Sequence, residues 1–306
     1  MWYIKEIDNE NISQALSFVQ IYEPLCVNLV DGLLRLQKKF NETMPSVKKS
    51  KNEKYVFFIF FHDTEIVAVC GLDAQKTFLH CFPNATRASI KAFVNCSEKF
   101  FKTFSIRSIM GEKKISEVIE KYLVRNHNYT VKQLHSYFLF ELSVQNFLKQ
   151  KKIYADENLR CDTCNHLDIE NLLPLQFGYE REEWERNSEN EIFSRVYILN
   201  MLSEQILFKG SINGKIVSKA HTNACGVHCK QIGGVYTLPA YRGKHYAEIV
   251  LRFALRTLAE KTSSFVLFVK VKNIAAQKLY RRLGFTKIAA FQITAFNSRK
   301  DFASQQ

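Results

Sequence analysis

Between Ile232 and Ala247 the apolar period of this chain changes, and few architectures accommodate such a change. The stretch reads Ile232-Gly-Gly-Val-Tyr-Thr-Leu-Pro-Ala-Tyr-Arg-Gly-Lys-His-Tyr-Ala247. Ile232, Val235 and Leu238 give it strand-like character, and Pro239, which has no N–H, forbids a ladder at that point. Gly243 permits a tight turn and a close approach of backbone to ligand. From Ala247 the apolar residues Val250, Leu251, Ala254, Leu255 and Leu258 recur at helical spacing, with Glu248, Arg252, Arg256 and Glu260 at i, i+4 on the opposite face. The expectation is strand, turn, then a helix whose first turn holds Arg242, Gly243, Lys244 and His245. Free N–H groups and positive charge there suit an anion, most of all a phosphate. On this stretch alone, a solvated basic loop would read the same.

The rest of the chain supplies two similar halves. Residues 9–39 are helical in pattern, with Pro24 dividing the run into two helices. A polar segment, 40–54, carries the Lys48-Lys-Ser-Lys51 run and reads as a solvated loop. Tyr55–Phe61 and Glu65–Cys70 form a hairpin, followed by a strand at Phe78–Phe82, a helix, a strand at Ile106–Met110, a helix over 112–125 and a strand at Leu134–Leu142. The second half repeats that order. Helices over 168–184 and 191–202 precede a hairpin whose turn is Asn213-Gly214, a strong turn signal. Strands at Lys230–Thr237 and Phe265–Val271, a helix from Asn273 to Leu283 ended by Gly284, and a strand at Ile288–Phe296 complete it. The fold class expected is α/β with a mixed sheet. Two domains are expected, 1–150 and 151–306, divided near the polar stretch 145–158.

A length of 306 residues with 46% hydrophobic and 24% charged residues supports two packed cores and excludes a disordered chain. The net charge of +13 suits a polyanionic partner, yet the Lys residues are spread along the chain, which argues against nucleic acid. No apolar run is long enough to span a bilayer, and Met1-Trp-Tyr-Ile-Lys-Glu lacks the layout of a signal peptide. The eight Cys residues sit mostly in apolar segments, so reduced thiols in the cytoplasm are expected. Cys161-Asp-Thr-Cys164 and Cys225-Gly-Val-His-Cys229 offer zinc-ligand types, but the spacing is irregular and no metal is expected.

Three pieces in order carry a family resemblance: Val235–Ala247, the buried strand Leu267–Val271, and Asn273-Ile-Ala-Ala-Gln-Lys-Leu-Tyr-Arg-Arg-Leu-Gly-Phe285. Residues 155–300 thereby resemble the GNAT superfamily of acyl-CoA-dependent N-acyltransferases. The resemblance implies two tandem GNAT-like domains, the C-terminal one carrying the acetyl-CoA site. It implies an acetyl-CoA-dependent N-acetyltransferase that acetylates a primary amine by direct attack. Arg242, Gly243, Lys244, His245, Tyr246 and Ala247 would cradle the pyrophosphate, and the backbone of Val235, Tyr236 and Thr237 would bond the pantetheine arm. The strands would splay beyond that point. Tyr280 matches the family's general acid, and Asn273 either bonds the cofactor or caps its helix. One departure stands out, because His245 occupies a position where the family has Gly.

The general base is left open by the sequence. Gly233 and Gly234 stand where some relatives carry a carboxylate, so Glu182, Glu183, His221 and water are the candidates. The first half shows no such loop, reading Phe82-Pro-Asn-Ala-Thr-Arg-Ala-Ser89 in its place. A degenerate GNAT-like unit is therefore expected there. Two other functions fit the same residues: a tandem-GNAT aminoacyl transferase using charged tRNA, and a non-catalytic acetyl-CoA-binding regulator. The amine acceptor and the oligomeric state are not legible.

Overall fold

The computed structural model describes residues 1–42, 55–150, 156–185 and 190–297. The Lys48–Lys51 run and part of the polar stretch 145–158 lie outside the described residues. Along the chain come β1 (Trp2–Glu6), α1 (Ile12–Ile21), α2 (Glu23–Glu42), β2 (Val56–His62), β3 (Glu65–Leu72), β4 (Thr77–Cys81), α3 (Arg87–Cys96), α4 (Glu98–Thr103), β5 (Ser108–Glu112), α5 (Lys113–Asn126), β6 (Val131–Ser143) and α6 (Val144–Leu148). Then follow β7 (Arg160–Thr163), α7 (Ile169–Glu183), α8 (Glu191–Glu204), β8 (Leu207–Ile212), β9 (Lys215–Cys225), β10 (Cys229–Thr237), α9 (Tyr246–Leu258), β11 (Ser264–Lys270), α10 (Ile274–Arg282) and β12 (Thr286–Phe296). The mixed α/β class is the one expected. Two strands, β1 and β7, were not anticipated. Among the described residues no helix is long and apolar enough to cross a membrane.

Contacts divide the chain into two compact units. The first takes Met1–Leu139, Val269–Asn273 and the chain from Lys287. Its strands run in the order β1-β2-β3-β4-β5-β12-β6. The neighbours from β1 to β4 pair antiparallel, β4 pairs β5 parallel, and β12 pairs β5 antiparallel through Phe291↔Glu112 to Ala295↔Ser108. The chain is rich in Phe, with 25 in all. Phe58, Phe60, Phe78, Phe82, Phe93, Phe100 and Phe101 pack into one buried cluster, many of them edge to face. Pro24 lies in the first turn of α2, and Cys26 leaves helical geometry just after it.

The second unit takes Phe140–Phe268 and Ile274–Thr286. Its strand order is β11-β10-β9-β8-β7, with only β10 and β11 parallel. Asn213 and Gly214 both adopt positive φ, 48° and 80°, as the tight β8–β9 hairpin turn requires. The period of two along β8 sorts its side chains between layers. Phe208 rings against Phe253 of α9, and a Cβ on Gly210 would meet Val250 of α9. Leu207 and Lys209 point the other way, toward α7: Leu207 joins the cluster of Leu172, Leu175 and Ile198, and Lys209 binds Asp168 at 2.6 Å. Helices α7 and α8 thus cover one face of this sheet and α9 the other.

Candidate active site in the second unit

The site begins where β10 leaves its parallel partner. The β10–β11 ladder ends at Ile232↔Leu267, while the β10–β9 ladder continues to Thr237↔Ser218. Between Gly233↔His221 and Tyr236↔Lys219, β10 uses three steps where β9 uses two, so β10 carries a one-residue bulge. Gly234, at φ +58°, supplies the left-handed conformation that the bulge needs. Past Thr237 the ladder stops at Pro239, which opens a short 3₁₀ turn to Tyr241. The strand opening follows from these residues.

Helix α9 starts at Tyr246, later than expected. Arg242 to His245 form the turn before it, not its first turn. His245 is the N-cap, in left-handed geometry at φ 60°, and its side chain makes no capping hydrogen bond. That geometry suits Gly without penalty, and a residue with a Cβ pays about 1–2 kcal/mol for it. Gly243, at φ +79°, has open space where a Cβ would stand. The His245 side chain does not cap the leading N–H groups of α9, and Gly243 and Lys244 beside them are exposed. An anion could be received here by backbone donors and the helix dipole.

Arg242 is already engaged. Its Nε donates to the Thr237 carbonyl at 3.0 Å and its Nη2 to Glu182 Oε1 at 2.7 Å, with the guanidinium 5.2 Å from the centre of the Tyr236 ring. The Tyr236 hydroxyl donates to the same Glu182 oxygen at 2.9 Å. A Cβ on Gly178 would fall onto that hydroxyl, so only Gly lets Tyr236 pass α7 to reach Glu182. Glu182 therefore belongs to the loop end of the site.

Tyr280, on α10, is buried and packs edge to face on Phe285. Burial first, and the charge of Glu183 second, push its phenol well above its ordinary pKa. It stays protonated at neutral pH. The end of α7 thus places Glu182 at the loop and Glu183 within electrostatic reach of Tyr280. Asn273 falls in the first unit, just before α10, and its N–H donates to the Lys270 carbonyl at 2.9 Å. The charged face expected of α9 is not exposed at its start. Glu248 is fully buried, accepting from Arg252 Nε and Nη2 at 3.2 and 3.1 Å and from Arg282 Nε at 3.3 Å. Gln150 continues this network, accepting from Arg252 and donating to the Leu283 carbonyl.

A second group of polar residues, largely missed by sequence reading, lines a small pocket with room for about one water molecule. Lys219 and His221, two apart on β9, face it together with Gln176, Tyr197, Met201 and Leu207. Lys219 is 4% exposed, donates to Gln176 Oε1 at 3.0 Å and lies over the Tyr179 ring; burial lowers its pKa to about 8. Gln176 and Ser194 in turn donate to Glu180 Oε1 at 2.9 and 2.8 Å. Burial, then the Lys219 charge, lowers the His221 pKa to about 3. Only the alternation along β9 could have flagged Lys219.

The first unit differs at both corresponding points. Its α3 opens with a reciprocal capping box, in which Thr86 Oγ1 accepts from Ser89 N at 3.1 Å and Ser89 Oγ from Thr86 N at 2.9 Å. Its β4–β5 ladder ends at Leu79↔Met110, and buried His80 follows, with Nε2 2.9 Å from Ser116 Oγ. As for the paired thiols, burial pushes Cys164 up to about 12, which holds it as a thiol. Among the described residues no three His, Cys, Asp or Glu side chains are placed to share a metal.

Residues 168–285 match the family model described as Acetyltransferase (GNAT) family. Among curated proteins no sequence matches this chain. Similar solved structures span nearly the whole chain. A Drosophila protein has a TM-score of 0.70 at 12% identity, covering 95% of this chain and 98% of its own. A tandem GNAT protein from the clavulanic acid biosynthesis pathway has a TM-score of 0.58 at 10% identity, covering 97% and 98%. A GNAT-family acetyltransferase from Colwellia psychrerythraea has a TM-score of 0.53 at 14% identity, covering 96% and 99%. At such identities the likeness is one of fold.

Proposed function

We propose, from the premise that residues 168–285 form a domain of the GNAT acetyltransferase family, that this protein moves the acetyl group of acetyl-CoA to a primary amine by direct attack. One observation carries the reading: the start of α9, not capped by the His245 side chain and lying behind the Gly243 turn, stands at the end of a strand whose parallel ladder has just opened. That is a place for a pyrophosphate with an extended arm beside it. Acetyl-CoA supplies the activated acyl group when bound.

The chain's own residues would act as follows. Backbone N–H groups of the Arg242–Ala247 turn and of α9 receive the pyrophosphate, with Lys244 adding charge. Arg242 binds it after exchanging Glu182 for phosphate oxygen. Val235, Tyr236 and Thr237 offer backbone groups to the arm along the open edge of β10. Tyr280, kept protonated by burial and by Glu183, gives its proton to the departing thiolate. Asn273 remains either a cofactor contact or a helix cap.

Tyr280→Phe tests the assignment. CoA release should fall at least about 100-fold, while acetyl-CoA affinity by calorimetry stays unchanged. Full turnover in that variant would remove Tyr280 from the chemistry. Absence of saturable acetyl-CoA binding to the wild type would sink the whole reading, and binding without turnover of any amine would favour a regulator.

A further inference from the structure

On the reading just proposed, the protein must meet two phosphate groups of acetyl-CoA. One is the pyrophosphate, which the Arg242–Ala247 turn, the start of α9 and the Arg242 side chain answer. The other, one ribose away, is a 3′-phosphomonoester of about −1.5 to −2 charge at neutral pH. None of the residues assigned so far answers it. Lys244, in the turn, already has Asp156 as a neighbouring counter-charge.

Arg282 is placed for that second group. It is the last residue of α10, and its Nε donates to Glu248 Oε2 at 3.3 Å. His245 Nδ1 lies 3.7 Å from the same oxygen. One carboxylate oxygen therefore ties the end of α10 to the N-cap of α9. The other oxygen, Oε1, accepts from Arg252 Nε and Nη2 at 3.2 and 3.1 Å. Arg252 and Glu248 are buried, whereas the Arg282 side chain is 44% exposed.

Two guanidinium groups thus share one carboxylate, and this network keeps a surplus positive charge. A cation in the last turn of a helix is ordinary, since it suits the helix dipole. The dipole alone would be served by an Arg free in solvent, and it does not call for a buried carboxylate behind the side chain. Glu248 fixes Nε of Arg282 and leaves the two Nη groups for a ligand. A guanidinium fork held in this way matches the paired oxygens of a phosphate. We propose that Arg282 binds the 3′-phosphate of acetyl-CoA and makes the protein prefer CoA over dephospho-CoA. Glu248 is its positioning residue, holding the fork beside the start of α9, where the pyrophosphate is received. The surplus charge of the network is then met by the ligand.

The test is calorimetry with acetyl-CoA and with acetyl-dephospho-CoA, which lacks only the 3′-phosphate. Wild type should bind acetyl-CoA at least about tenfold more tightly, the size expected of a charge-assisted contact. Arg282→Gln should lose most of that preference, with its affinity for acetyl-dephospho-CoA unchanged. A merely structural role would weaken both ligands alike. Wild type that binds neither ligand overturns the underlying function, and Arg282's role with it. Equal binding of the two by wild type, a preference that survives in Arg282→Gln, or an equal loss for both ligands overturns the Arg282 assignment alone. Should Arg282→Gln not fold, Arg282→Lys takes its place, because one ammonium cannot pair with Glu248 and also grip a phosphate as a fork does. A preference reduced at least about threefold then supports the assignment, and an unchanged one overturns it.

Discussion

Burial lowers the pKa of His221 from 6.5 to about 3 and that of His80 to about 4. Below about pH 6.5 the unfolded chain binds protons at both residues while the folded chain does not. The stability that these histidines contribute above pH 6.5 is therefore lost progressively as pH falls toward 4. Lys219 acts in a higher window: with its pKa at about 8 against 10.5, stability rises between those values as pH rises. A pH series of thermal melts should show the melting temperature falling from pH 7 to pH 4, and His221→Gln should flatten part of that fall. An unchanged slope would mean that His221 charges without cost. The sequence put His221 on a hairpin strand, but only the fold brings it against Gly234, because that proximity depends on the bulge. Likewise, Arg242 and Gly243 were legible as a turn, whereas the 2.7 Å contact of Arg242 with Glu182 joins residues sixty positions apart.

At the level of elements, α9 shows where periodicity misleads. Glu248 and Arg252 sit at i, i+4 and read as a solvated pair, yet their side chains are 0% and 4% exposed. Arg282 of α10 bonds Glu248 and Gln150, beyond the end of α6, bonds Arg252, and no local pattern announces that. Removing one partner leaves a buried charge unpaired. Glu248→Ala is expected to cost about 3–5 kcal/mol in urea unfolding. Glu248→Leu combined with Arg252→Met should recover much of that, since matched apolar replacements of buried pairs are often neutral. A loss below 1 kcal/mol in the single variant would show the pair to be hydrated. Elements with local chemistry were read well. The Asn213-Gly214 hairpin and the Pro24 break are set by backbone preferences of the residues themselves. Strand β1 was missed because its residues, Trp2–Glu6, alternate too briefly and are defined by pairing with β2.

Across the whole molecule the two units handle the same feature in opposite ways. The helix after β4 satisfies its leading N–H groups with Thr86 and Ser89, and His80 with Ser116 fills the end of the β4–β5 ladder. In the helix after β10 the N-cap side chain makes no such bond. Calorimetry should accordingly give one acetyl-CoA per chain, and Gly243→Glu should abolish all of it. A second equivalent, or binding that survives the substitution, would place a site in the first unit. The repeat of element order was visible in the sequence because each half carries its own hairpin and helices. The partner of the last strand was not, since nothing in Thr286–Phe296 names β5 as its neighbour.

That last pairing sets a timetable for synthesis. β12 lies between β5 and β6, so the first unit's sheet cannot close until residues 286–296 leave the ribosome. At about 5–20 residues per second, the roughly 150 residues after β6 take on the order of ten to thirty seconds. During that interval Ser108–Glu112 presents an open row of N–H and C=O groups to whatever strand arrives first. The nascent chain is most exposed to mispairing there, and chaperones that shield strand edges would act on it at that stage.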